Sequence, residues 1–183
     1  MENDPYLQAR GLMDLIGGKE SSNDYNVAYG GTKDKFTDMT VDEILDWQKN
    51  YVKQGSPSSA VGRYQIITKT LKDLKKNLGL KGDEKFDEDL QDRMFMSLLE
   101  RRGYGDWTQG NLTDEQFADQ LAKEWASLPV MATGRSYYDK DGLNKALISP
   151  EAVLQALSVN RPEYMTMDEL LGAHDYFGTL GNE

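Results

Sequence analysis

Leu12-Met13-Asp14-Leu15-Ile16-Gly17-Gly18-Lys19-Glu20-Ser21-Ser22, then Tyr25-Asn26-Val27-Ala28-Tyr29-Gly30-Gly31, is the stretch on which the reading of this chain turns. The spacing of Leu12, Leu15 and Ile16 predicts a helix that starts near Pro5, a residue suited to a first helical turn. Gly17-Gly18 is expected to loosen that helix, which places Glu20 just past its end. From Asp24 to about Asp38, aromatic and β-branched residues mix with Gly30-Gly31, which predicts a short β-hairpin. A carboxyl group held against apolar side chains under such a hairpin is disfavoured in its charged form. Glu20 is therefore a candidate acid that keeps its proton near neutral pH.

Composition narrows the chemistry around that residue. At 183 residues the chain suits one domain, or one domain with a modest tail, and can bury a real core. It has no cysteine, so neither a disulfide framework nor a thiolate metal site can form. His174 is the one histidine, which excludes His-based zinc chemistry, and a Ser-His-Asp triad unless His174 itself serves. Carboxylate chemistry is therefore the natural place to look. Formal charge is −10, with 31 acidic against 21 basic residues, which argues against nucleic acid as a partner. Residues 1–5 lack a basic and an apolar region, so no signal peptide is expected. No apolar run approaches the roughly 18 residues of a membrane span, so no membrane insertion is expected.

Beyond the opening stretch the pattern is mostly helical. Thr40-Val41-Asp42-Glu43 fits a capping box, followed by one face of Val41, Ile44, Leu45, Gln48, Tyr51 and Val52. Residues 54–59 read as a loop, and a helix is expected from about Ala60 to Asn77. Asp87 is placed to cap a helix carrying Leu90, Met94, Leu98 and Leu99, closed by Gly103. Thr113-Asp114-Glu115-Gln116 opens a helix expected to run through Trp125. Ser149-Pro150 and Thr166-Met167-Asp168-Glu169 start two more. The fold class is α+β, mostly α, with residues 1–158 as the helical domain and its hairpin lobe. Residues 159–183 are expected to form a C-terminal helical extension that docks elsewhere or completes the core.

Glu20-Ser21, residues 25–31 and Gly62-Arg63-Tyr64-Gln65 resemble, in this order and spacing, the lambda-type phage endolysins, lytic transglycosylases with a lysozyme-like fold. Phe36-Thr37-Asp38, Leu78-Gly79-Leu80, Gln91-Asp92, Glu100-Arg101-Arg102-Gly103 and Trp125-Ala126-Ser127-Leu128-Pro129 with Gly134 extend the likeness, from about Leu12 to Tyr138. Gly62-Arg63-Tyr64-Gln65 is also similar to the Gly-Leu-Met-Gln motif of Slt-type transglycosylases. The resemblance implies cleavage of the β-1,4 bond between N-acetylmuramic acid and N-acetylglucosamine, with Glu20 as acid and then base and no cofactor. It also implies Gln65 as a hydrogen-bonding partner of sugar or carboxyl, with Ser21 orienting Glu20 or bonding local backbone. Tyr25, Tyr29, Tyr137 and Tyr138 are candidates to stack on pyranose faces, with Tyr64 in core or cleft. The protein would meet the wall after crossing the membrane from the host cytoplasm through a holin, or as part of the virion, with the extension as a docking element for virion proteins.

A hydrolytic muramidase with a second carboxylate stays open, with Asp24, Asp34 and Asp38 available. The T4-type spacing of Glu, then Asp or Cys, then Thr is not met, since those positions hold Tyr29 and Lys35. A non-catalytic wall-binding or virion module also stays open. Tyr138-Asp139-Lys140-Asp141-Gly142 fails as a calcium loop, because Tyr137 and Ile148 fall at its first and twelfth positions. The acidic balance sits awkwardly with an anionic wall polymer; a locally basic cleft, a salty habitat or delivery on a virion would each reconcile the two.

Overall fold

In the computed structural model, residues 6–142 and 144–161 are described. Among the described residues, seven α-helices carry the fold. The first, α1 (Arg10–Ser21), follows a 3-10 turn at Leu7–Ala9 and buries Leu12, Met13 and Ile16, while Leu15 stays at the margin. Contrary to expectation the helix does not loosen at Gly17-Gly18 but continues through Glu20. Gly17 is needed for close approach instead: a Cβ there would lie 2.6 Å from Asn23 Oδ1 and 2.8 Å from Arg63 Nε. The helix ends one turn later, with Ser22 and Asn23 at positive φ and the Asn23 N–H donating to the Gly17 carbonyl.

The expected β-hairpin does not form a regular ladder. Residues 24–38 make only isolated bridges, Val27 to Lys33 and Ala28 to Val61, around 3-10 turns at Tyr29–Gly31 and Phe36–Asp38. The Ala28 N–H donates to the Thr32 carbonyl and the Asp34 N–H to the Asn26 carbonyl, and side chains hold neighbouring backbone groups. Asp24 accepts from the Asn26 N–H, and the Asn26 amide oxygen accepts from both the N–H and the hydroxyl of Thr37.

The Thr40 capping box forms and starts α2 (Val41–Lys53), whose inner face buries Val41, Ile44 and Gln48, while Val52 is exposed. Helix α3 (Thr68–Asn77) starts later than expected, because residues 60–67 form a turn closed by reciprocal Val61 and Ile66 backbone bonds. Gly62 (φ 79°) and Gln65 (φ 49°) take left-handed conformations that end any helical reading there. Asp87 caps α4 (Glu88–Arg101), Gly103 closes it in a left-handed conformation, and a short α5 (Tyr104–Thr108) follows. Helix α6 (Asp114–Ala122) opens with the Thr113 capping box but stops before Trp125.

The core is continuous. Tyr64, Phe95 and Trp125 pack ring on ring at 4.3 and 5.1 Å, and Trp107 stacks on Phe117 at 4.8 Å. The Ser149-Pro150 start holds, and α7 (Pro150–Asn160) packs on α1 and α6, burying Val153 and Leu157. The boundary expected at 158 thus falls inside a packed helix. The Arg161 side chain ties its end to the carbonyls of Trp107 and Leu112 and to Asp114. The remainder of the expected extension, with the helix at Thr166 and His174, lies outside the described residues. Among the described residues no helix is long and apolar enough to cross a membrane.

Candidate active site

Glu20 lies in the last turn of α1, where α1 meets two turns that are distant in sequence. The first is the Gly62–Gln65 turn, anchored because the Ser21 hydroxyl donates to the Arg63 carbonyl at 2.7 Å. The second follows α6 and brings Ser127, whose hydroxyl donates to Glu20 Oε1 at 2.5 Å. Burial pushes the Glu20 carboxyl above its ordinary pKa; the hydroxyl and backbone of Ser127 pull the other way without cancelling it. The carboxyl is thus biased toward its protonated form and held by the Ser127 hydroxyl.

These elements line a cleft of about 1320 Å³. One group of lining segments comprises the Tyr29–Gly31 turn, Pro57, Ser58 and Ala60, residues 64–67 and the start of α3. The other comprises Arg101 and Arg102, residues 123–127, Tyr138 and residues 144–147. The indole N–H of Trp125 donates to the Tyr64 carbonyl at 3.3 Å, and the Leu147 N–H donates to the Ser127 carbonyl at 2.7 Å, so the segments brace one another.

Of the residues singled out from sequence, Glu20, Ser21, Tyr29, Tyr64, Gln65 and Tyr138 line this cleft. The Ser21 hydroxyl is committed to backbone, bonding the Gly17 and Arg63 carbonyls and receiving the Asp24 N–H. The Gln65 amide nitrogen donates to the Gly62 and Val27 carbonyls. Tyr138 donates to the Lys123 carbonyl at 2.6 Å and is partly exposed, its ring edge-on to that of Tyr137. Tyr137 is more exposed and does not line the cleft.

Tyr25 is directed elsewhere. Its hydroxyl donates to Asp92 Oδ1 at 2.9 Å and accepts from Arg63 Nη1 at 2.8 Å. The buried Tyr64 hydroxyl donates to the same Asp92 oxygen at 2.7 Å. Burial and the Asp92 carboxylate push Tyr25 up to about 12 and raise Tyr64 further, so both remain donors. Arg63 completes this knot with bonds to Asp14 and Asn23. The knot positions the turn that carries Gln65, and it is framework where the sequence suggested sugar contact.

Asp24, Asp34 and Asp38 are the sequence candidates for a second carboxylate. Asp24 lines the cleft but is paired with Lys33, which holds it below the ordinary carboxylate range. Asp34 accepts from the Trp47 indole at 2.9 Å, and neither it nor Asp38 lines the cleft. Two cleft features escaped the sequence reading. Ser127 stands in a segment quoted for resemblance only, and nothing local tells that it faces Glu20. Glu124 is nearly buried and held by Arg101 and Arg102 at 2.6 and 2.8 Å, a contact made across 22 or more residues.

The comparisons with known proteins bear on the fold and the family. A family model described as Endolysin matches residues 14–150. No curated protein matches the chain. Two solved structures of bacteriophage lambda lysozyme, one complexed with a chitohexasaccharide, are similar at a TM-score of 0.53 and 20% identity. Each match covers 84% of this chain and 93% of that one, so the fold is lysozyme-like. The chain belongs to the endolysin family, the phage lysins that degrade bacterial cell-wall peptidoglycan.

Proposed function

We propose that this lysin cleaves the β-1,4 bond between N-acetylmuramic acid and N-acetylglucosamine as a lytic transglycosylase, with Glu20 as its one catalytic carboxyl. The observation that carries the reading is a desolvated Glu20 in a cleft whose other carboxylates are paired or exposed. Asp24 is neutralised by Lys33, Glu124 by two arginines, and Asp73 is exposed on α3. A lysozyme of the same fold has been seen with a chitohexasaccharide, which supports a β-1,4-linked amino-sugar strand in this cleft.

In the first half of the reaction the Glu20 proton passes to the bridging oxygen as the C1–O bond breaks. The resulting carboxylate then takes the proton of the muramyl C6 hydroxyl, whose oxygen bonds to C1 and closes the 1,6-anhydro ring. No water is consumed, and the nucleophile is already held on the substrate, which lowers the entropic barrier. Ser127 holds the carboxyl in both states. Tyr29 and Tyr138 supply surfaces for pyranose faces, Tyr64 shapes the cleft wall, and Gln65 lines the path of the strand. Ser21 acts by fixing the Gly62–Gln65 turn to α1.

The test is mass spectrometry of fragments released from purified peptidoglycan, with a folded Glu20→Gln variant as control. Products ending in 1,6-anhydromuramic acid, lost in the variant, are expected. Reducing muramic acid ends would instead assign hydrolysis and return attention to Asp24. Release that survives Glu20→Gln would remove the assignment of Glu20. On this reading the protein reaches the wall from the host cytoplasm through a holin pore; its presence in purified particles would assign it to the virion instead.

A further inference from the structure

The charge of this protein is unevenly placed. The chain carries −10 overall, yet the cleft is lined by seven cations and four carboxylates. The cations come from separate parts of the sequence. Lys19 is in the last turn of α1, Lys69 at the start of α3, and Arg101 and Arg102 at the end of α4. Lys123 closes α6, and Lys145 lies two residues from Leu147, whose N–H binds the carbonyl of Ser127.

The carboxylates do not offset them. Glu20 is biased toward its neutral form, Asp24 is occupied by Lys33, and Glu124 is shared by two guanidinium groups. Asp73 is the remaining carboxylate of the lining, against Lys19, Lys69, Lys123, Lys145 and the surplus charge of the arginine pair. A cleft lined by one sign of charge concentrates field and draws in ligands of the opposite sign, by about 10- to 1000-fold in local concentration and on-rate. A neutral amino-sugar strand would gain nothing from it.

We infer that the cleft selects amino-sugar strands bearing carboxylate substituents over neutral strands of the same sugars, with Lys69, Lys123 and Lys145 as the specificity-determining cations. The inference rests on the glycan-cleaving reading of the same cleft. It also reconciles an acidic protein with an anionic wall polymer: the acidic shell keeps the molecule from adhering at random, and the basic cleft reads the strand. The carboxylates can come from the lactyl group of muramic acid or from the peptide attached to it.

Binding to the Glu20→Gln variant tests this without turnover. Three tetrasaccharides serve as probes in calorimetry: chitotetraose, the peptide-free muramyl oligomer with free lactyl groups, and the same oligomer with its peptides. At ~20 mM salt the carboxylate-bearing probes should bind about tenfold or more tightly than chitotetraose, and the preference should collapse at ~0.5 M salt. The Lys69→Gln/Lys123→Gln/Lys145→Gln combination should lose the preference, while Lys49→Gln on α2, away from the cleft, keeps it. Whether the gain appears at the peptide-free or the peptide-bearing step names the source of the carboxylate. Equal affinity for all three probes, or a preference that survives salt and the triple variant, would overturn the inference and leave the catalytic reading standing. Absence of binding to every probe would overturn both.

Discussion

At the residue scale the central fact is that Glu20 is held between two opposed influences. Desolvation favours its proton, and Ser127 favours its negative charge. Removing the hydroxyl in Ser127→Ala should raise the Glu20 pKa further. The acid must be protonated to act, so the alkaline limb of the kcat/KM profile should move to higher pH. Loss of the orienting bond should also lower kcat by about tenfold or more. A pH–rate profile that stays in place would show that Ser127 does not tune this carboxyl. The same shift has a consequence for stability. A carboxyl whose pKa is raised by folding contributes fully below its unfolded pKa and loses that contribution as pH rises through its folded one. Denaturant titrations of Glu20→Gln and the parent chain should therefore diverge in favour of the variant as pH climbs above the ordinary carboxyl range. A pH-independent difference would mean the carboxyl is solvated. Beneath the cleft, Arg63→Met leaves Asp92 buried with tyrosine hydroxyls alone, and should cost about 3 kcal/mol or more in urea unfolding.

At the scale of elements, the capped helix starts were written in the sequence and the turns were not. Thr40, Asp87, Thr113 and Ser149 each cap the helix expected of them, because a cap is a bond between a side chain and backbone two or three residues away. Thr113→Ala should cost about 1 kcal/mol and leave the fold intact. The Gly62–Gln65 turn obeys no local rule of that kind. Its apolar flank resembles the start of a helix, and the conformation is imposed by Gln91, whose side chain accepts the Arg63 N–H and donates to the Phe86 carbonyl. A Cβ on Gly62 would lie 2.3 Å from Gln91 Oε1 at a positive φ. Gly62→Ala should therefore destabilise by about 1–3 kcal/mol and lower turnover as well, since the turn carries Gln65. Thermal unfolding alongside wall lysis checks both, and an alanine variant with parental stability would show that the turn is not so constrained. The hairpin was misread for a related reason. Aromatic and β-branched residues favour strands, but Asp24 and Asn26 side chains take the Asn26 and Thr37 N–H groups, and the pairing of the arms stays short.

At the scale of the whole molecule, charge and chemistry separate into shell and cleft. Added salt screens repulsion among the acidic groups of the shell and should raise unfolding stability modestly, while it weakens the cleft's hold on anionic strands. Opposite salt dependences of melting temperature and wall affinity are the expected signature; parallel ones would argue that the two charge populations are not distinct. By itself the sequence determined the mostly helical class, the capped helix starts, the family resemblance and Glu20 as the carboxyl to watch. These rest on periodicity, on contacts a few residues long and on motif order, all of which survive in one dimension. The tertiary structure alone decided that Glu20 meets Ser127 and that Tyr25 bonds Asp92 instead of facing the cleft. It also decided that seven cations converge where the net charge gives no hint of them. Such contacts join residues 60 or more apart, and they depend on how helices pack, which local patterning does not encode.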